Sequence, residues 1–162
     1  MIADYSHGDE AVLPINDTNL EHAFTWGNYV DVSTNNEVRV EEEAIAKYGL
    51  FLFKDRHSND ANYSRDEISY NDNSVEYNAS TITTYYDGIT VEWEGQFSIA
   101  PSLSTVYLQI YNRTSGDWET LDSNNSANAD VDFFLNGVKT SNLVNYYDVN
   151  YWVAWRVYQE KI

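Results

Sequence analysis

The feature that most constrains this chain is its punctuation: short runs of β-branched and aromatic residues alternate with clusters of Asn, Asp, Ser and Gly almost throughout. Branched and aromatic side chains fit a pleated, half-buried surface, and the polar clusters supply turns. Long helical patterns are nearly absent, so an all-β sandwich of about eight antiparallel strands is expected. Strands are predicted at residues 29–32, 38–40, 48–54, 89–97, 106–112, 118–122, 132–135 and 151–158. The clearest hairpin joins VYLQIYN (106–112) to WETLD (118–122) through RTSGD (113–117), where Gly116 can supply a positive φ.

Three segments stand apart. EEEAIAK (41–47) favours a helix by composition, yet it runs directly into the apolar Tyr48-Gly-Leu-Phe-Leu-Phe53, which suits a buried strand. SNLVNYY (141–147) is expected to form one helical turn capped by Ser141, with Leu143 and Tyr147 on its inner side. Residues 56–88 form a polar insertion too rich in Asn, Asp, Ser and Tyr for a core element, expected as a surface loop or a carrier of specificity.

At 162 residues the chain fits a single domain, 1–162, and 15% aromatic residues give it enough apolar surface for a core without disulfides. There is no Cys, which removes thiol chemistry and Cys-based zinc sites. A formal charge of −17, with nine scattered Lys and Arg, opposes phosphate backbones and anionic membranes, so neither nucleic acid nor membrane is expected as a partner. No apolar run approaches the ~20 residues of a membrane helix. Residues 1–10 lack a basic region followed by an apolar stretch, so no signal peptide is expected there.

Motifs for catalysis are weak. Glu92 and Glu94 alternate on one strand face, about 6–7 Å apart, which is compatible with an acid and base pair. Such pairs arise by chance among 26 acidic residues, and a solvated strand face is the preferred reading. His7, His22 and His57 belong to no metal motif, and no nucleophile elbow or phosphate loop occurs. The chain is therefore read as a non-enzyme. Calcium is the one inorganic candidate: Asp122, Asn128, Asp130 and Asp132 offer hard oxygen ligands in one loop, with hydrogen-bonded turns as the preferred alternative. The expected cofactor is thus none, or structural calcium.

Alternation along two strands gives the most informative surface. If Val106, Leu108 and Ile110 face inward, Tyr107, Gln109 and Tyr111 face the other way; if Val153, Trp155 and Val157 face inward, Trp152, Arg156 and Tyr158 do not. Should these strands be neighbours, one face would gather residue types enriched at interfaces and on sugar-stacking platforms. Tyr107, Gln109, Tyr111, Trp152, Arg156 and Tyr158 are the candidate binding or interface residues. Tyr as a plain strand former, half-covered by the insertion, is the competing explanation.

STVYLQIYN (104–112), WETLD (118–122), ADVDF (129–133) and VAWRVYQ (153–159), with an earlier strand at 48–55 followed by Arg56-His57, resemble jelly-roll, galactose-binding-like β-sandwich modules of bacterial surface proteins and phage-encoded short reading frames. The resemblance covers about half of the chain and implies fold rather than activity. Two functions are expected from it and from the aromatic face. The first is a structural or decorating component of a large extracellular assembly, most of all a phage virion, built of protein subunits and homo-oligomeric. The alternative is a carbohydrate-binding or adhesion module, stabilised by calcium. Either places the protein outside the cell or on a virion surface.

Overall fold

The computed structural model describes residues 2–33, 39–44, 47–56, 79, 82–83 and 86–161. The described residues form an all-β protein of eight strands: β1 (Ile2–Glu10), β2 (His22–Ala23), β3 (Tyr48–Arg56), β4 (Ile89–Gly95), β5 (Val106–Asn112), β6 (Asp117–Asn124), β7 (Phe133–Lys139) and β8 (Trp152–Gln159). Helix α1 (Trp26–Ser33), helical residues at 79 and 82–83 and a 3₁₀ turn (Leu143–Asn145) accompany them. Six strands make one antiparallel sheet in the order β2-β1-β3-β8-β5-β6, and β4 pairs with β7 in a second.

The larger core lies between these sheets. Val106, Leu108 and Ile110 of β5 and Val153 and Val157 of β8 pack with Ile89 and Val91 of β4 and Phe133 and Leu135 of β7. Gly137 of β7 lies tight against β6: any Cβ there would come within 2.5 Å of the Leu121 Cβ, so a larger residue would force the strands to shift. Beside it Glu119 accepts hydrogen bonds from Lys139 Nζ (2.6 Å), Tyr146 OH (2.9 Å) and Asn112 Nδ2, tying β6 to β5, β7 and the 3₁₀ turn. The Lys139 ammonium, then the Asn112 amide and the Tyr146 hydroxyl, hold the Glu119 carboxyl down at about 2.

The continuous apolar run of β3 has a physical reason. Leu50 and Leu52 face one side of the sheet, and Phe51 and Phe53 face the other, where Phe53 stacks on Trp155 at 4.0 Å between ring centroids. Both sides of β3 are covered, so alternation of apolar and polar residues is not required. Asp55 accepts from Tyr5 OH (2.7 Å) and Trp155 Nε1 (2.8 Å), and burial with the neighbouring Asp55 charge pushes the Tyr5 phenol up.

The 106–122 hairpin forms as expected, with Gly116 at φ 75° and Asn112 Oδ1 accepting from Thr114 N and Ser115 N. Other expectations need correction. Residues 29–32 are helical, because Thr25 and Asn28 exchange side-chain-to-backbone hydrogen bonds that start α1. Residues 39–44 carry no regular structure, and 38, 45 and 46 lie outside the described residues. The turn at 143–145 is entered through Asn142 at φ 52° without a side-chain cap, though Leu143 and Tyr147 are buried as anticipated. Within the polar insertion Ile82 and Tyr86 belong to the main core, so this segment is not wholly surface; residues 57–78, 80, 81, 84 and 85 lie outside the described set.

Candidate functional site

Strand alternation places Tyr107, Gln109 and Tyr111 on the face of β5 opposite the main core, and Trp152, Arg156 and Tyr158 on the same face of β8. The register sets Gln109 against Arg156 and Tyr107 against Tyr158, so β5 and β8 are neighbours. Arg156 is the centre of this face. Its Nε and Nη2 donate to Gln109 Oε1 at 2.9 and 2.7 Å, and its guanidinium lies 4.2 Å from the Trp118 ring centroid and 5.3 Å from that of Tyr158. Tyr107 stacks on Tyr158 at 5.3 Å, and Tyr111 lies 5.1 Å from Trp118. Burial lowers the Arg156 guanidinium to about 10 and raises the Tyr158 phenol to about 12, leaving Arg156 charged and Tyr158 neutral at physiological pH.

The residues that cover this face are the chain's own. Residues 11–20 (AVLPINDTNL) cross it as an irregular strap, with Leu13 and Leu20 in a second apolar cluster formed with Leu50, Leu52 and Tyr158. Lys161 Nζ donates to Ala11 O (3.1 Å), Arg156 Nη1 to Pro14 O (2.7 Å) and Lys54 Nζ to Asn19 Oδ1 (2.5 Å), while Arg113 pairs with Asp17 (2.9 Å). Arg156 is consequently only 5% exposed, and Gln109 and Tyr158 are buried beside it. Sequence reasoning missed this strap, since no local periodicity links Pro14 to a residue 142 positions away.

Trp152 escapes the cover and is half-buried in an open cleft of about 300 Å³ whose walls are Asp17, Lys54, Arg113, Asp148 and Asn150. Asp148 Oδ1 accepts from Asn150 N (2.8 Å) and Trp152 N (2.9 Å), fixing the loop before β8. The two cations and two carboxylates of this cleft cancel, which sets it apart from the chain as a whole.

Of the oxygens considered for calcium, those of Asp122 and Asp132 have other partners. Asp122 accepts from Ser123 N and Asn136 N, Asp132 pairs with Arg39 at 2.7 Å, and Asp130 sits at φ 56° with its N–H on Phe97 O. Asn128 is exposed, and among the described residues no group of three His, Asp or Glu is arranged to hold a metal. Glu92 and Glu94 are both exposed on β4. His7 Nδ1 is hydrogen-bonded to Glu42, His22 is exposed, and His57 lies outside the described residues.

The second exposed surface is the outward face of the small sheet. On β7, Phe133 and Leu135 turn into the core, so Phe134 and Val138 turn out, at 67% and 56% exposure. Glu94 is paired opposite Phe134, and Glu92 opposite Asn136. No protein-family model matches the chain, and no curated protein or solved structure does so either.

Proposed function

We propose that the chain is a non-catalytic structural or decorating component of an extracellular protein assembly, a virion being the setting that its jelly-roll-like sequence features favour. The observation that carries this reading is the outward pair Phe134 and Val138 on β7. The two lie on one face with Asn136 between them, and exposed apolar side chains on one face are among the features of contact sites. Glu92 and Glu94 border the pair and the chain carries a net charge of −17, so the fitting occupant is a basic protein surface with an apolar centre. Charge of one sign on two like faces opposes pairing of this face with itself.

The test is incorporation. Phe134→Ser should cost about 2 kcal/mol of association, roughly a thirtyfold loss of affinity for the isolated assembly, while the melting temperature stays that of the unaltered chain. Full incorporation of the variant, or self-association through this face at raised salt, would count against a basic partner there.

A second reading, carbohydrate binding, rests on Trp152. A half-buried indole beside an amide, carboxylates and cations suits stacking on a sugar ring with hydrogen bonds to its hydroxyls. Retention on a glycan array that is lost in Trp152→Ala would favour this reading over assembly.

A further inference from the structure

Phe51 of β3 is paired with Val157 of β8, so it faces the side of the large sheet that carries the main core. That side is not filled to its border. An open cavity of about 560 Å³ is bounded there by Phe51, by Gln159 at the end of β8, by Phe97 and Ile99 after β4, and by residues 41–44. We propose that this cavity binds a primary ammonium carried on a small apolar body, of the aralkylamine class. It shares no lining residue with the Trp152 cleft, and it stands independently of the Phe134 face.

Gln159 supplies the observation that points to a ligand with N–H donors. Its side chain is only 6% exposed, and its Nε2 donates to Ile99 O (2.8 Å) and Ser104 O (2.9 Å). Two carbonyl partners fix which end of the amide is the nitrogen. Among the described residues no group donates to the remaining atom, Gln159 Oε1. A buried acceptor left open in this way is costly until a donor meets it.

The charges around the opening have the same bias. The carboxylates of Glu41, Glu42, Glu43 and Glu160 line the cavity against the ammonium groups of Lys47 and Lys161. Both ammonium groups are engaged elsewhere, Lys47 by Asp9 at 2.7 Å and Lys161 by Ala11 O at 3.1 Å and the Tyr48 ring. Glu41, Glu43 and Glu160 are exposed, and among the described residues their carboxylates have no partner. A cation drawn toward a chain of net charge −17 therefore finds unspent negative charge at the rim. Phe51 and Phe97 are half-buried and offer aromatic surface, which accepts an apolar body and attracts an ammonium. The wall is fastened to β1 at alternate residues, by Glu42 on His7 and by Lys47 on Asp9, so the cavity is preformed.

Phenethylamine is the probe, titrated into the ¹⁵N-labelled full chain while the Gln159 side-chain amide and the backbone amides of Phe51 and Trp152 are followed. Saturable shifts at Gln159 and Phe51, with Trp152 unmoved, are expected. Of three controls, 2-phenylethanol lacks the charge, ethylamine lacks the ring, and phenethyltrimethylammonium lacks the N–H groups; each should bind about tenfold more weakly. Glu41→Gln combined with Glu43→Gln should weaken phenethylamine about tenfold and leave the melting temperature unchanged, since neither carboxylate holds the fold. Any control binding as tightly as phenethylamine would overturn the proposal. So would shifts centred on Trp152, undiminished affinity in the double variant, or no saturation at millimolar phenethylamine.

Discussion

The two faces of the six-stranded sheet are built on different physics. Toward the small sheet, Val106, Leu108, Ile110 and Val157 are fully buried among other apolar side chains. Toward the strap, Gln109, Arg156 and Tyr158 are nearly as buried, but what holds the cover is largely a row of cations meeting oxygens. Apolar burial has no preferred direction and is indifferent to moderate salt. Cation-to-oxygen contacts are directional, and the exposed ones are screened. One face is therefore suited to permanence and the other to reversible occupation.

Leu108→Ala breaks the first face and should produce the largest effect. A fully buried leucine removed from a close-packed core costs about 2–5 kcal/mol, read as a lower urea midpoint that shifts equally at low and high salt. Arg156→Gln tests the second face. It should cost about 2 kcal/mol and speed hydrogen exchange at the Leu20 amide far more than at Leu108. If both amides accelerated alike, strap and core would be one cooperative unit and the contrast would fail.

Glu119→Gln gives the smallest effect and sharpens the comparison at the junction of the two sheets. The Glu119 carboxyl is depressed to about 2, so its contribution is complete above the ordinary glutamate range and disappears as pH falls through about 2. The unaltered chain should lose stability across that acidic window, and the variant should lack that part of the loss. At neutral pH the difference should be about 1 kcal/mol or less, since the carboxylate is partly solvated. Identical acid titrations of the two proteins would show that Lys139 contributes nothing through this pair.

Alternation was enough to read β5 from the sequence, because Val106, Leu108 and Ile110 face one buried side without interruption. It failed for β1, whose Asp4, Ser6, Gly8 and Glu10 carry no apolar stripe and become a strand only through pairing with β3. Residues 29–32 have the composition of a strand, yet the hydrogen bonds of Thr25 and Asn28 decide for helix. The candidate face was legible in the same way as β5. Its cover was not, for the partners of Arg113, Arg156 and Lys161 lie 96, 142 and 150 positions away along the chain, far beyond any local pattern.

The brevity of β2 has a consequence for what the protein can build. An open sheet edge invites another chain to add a strand, and repeated addition gives a fibre. Here the outer edge of β1 is met by two residues of β2, by Phe24 N on Tyr5 O and by Tyr29 OH accepting from Tyr5 N. At the far side, β6 has Asn136 N on Asp122 Oδ2 and Gly137 against Leu121. Endless ladder growth is discouraged at both borders of the larger sheet, so an added strand from another chain finds little free edge there.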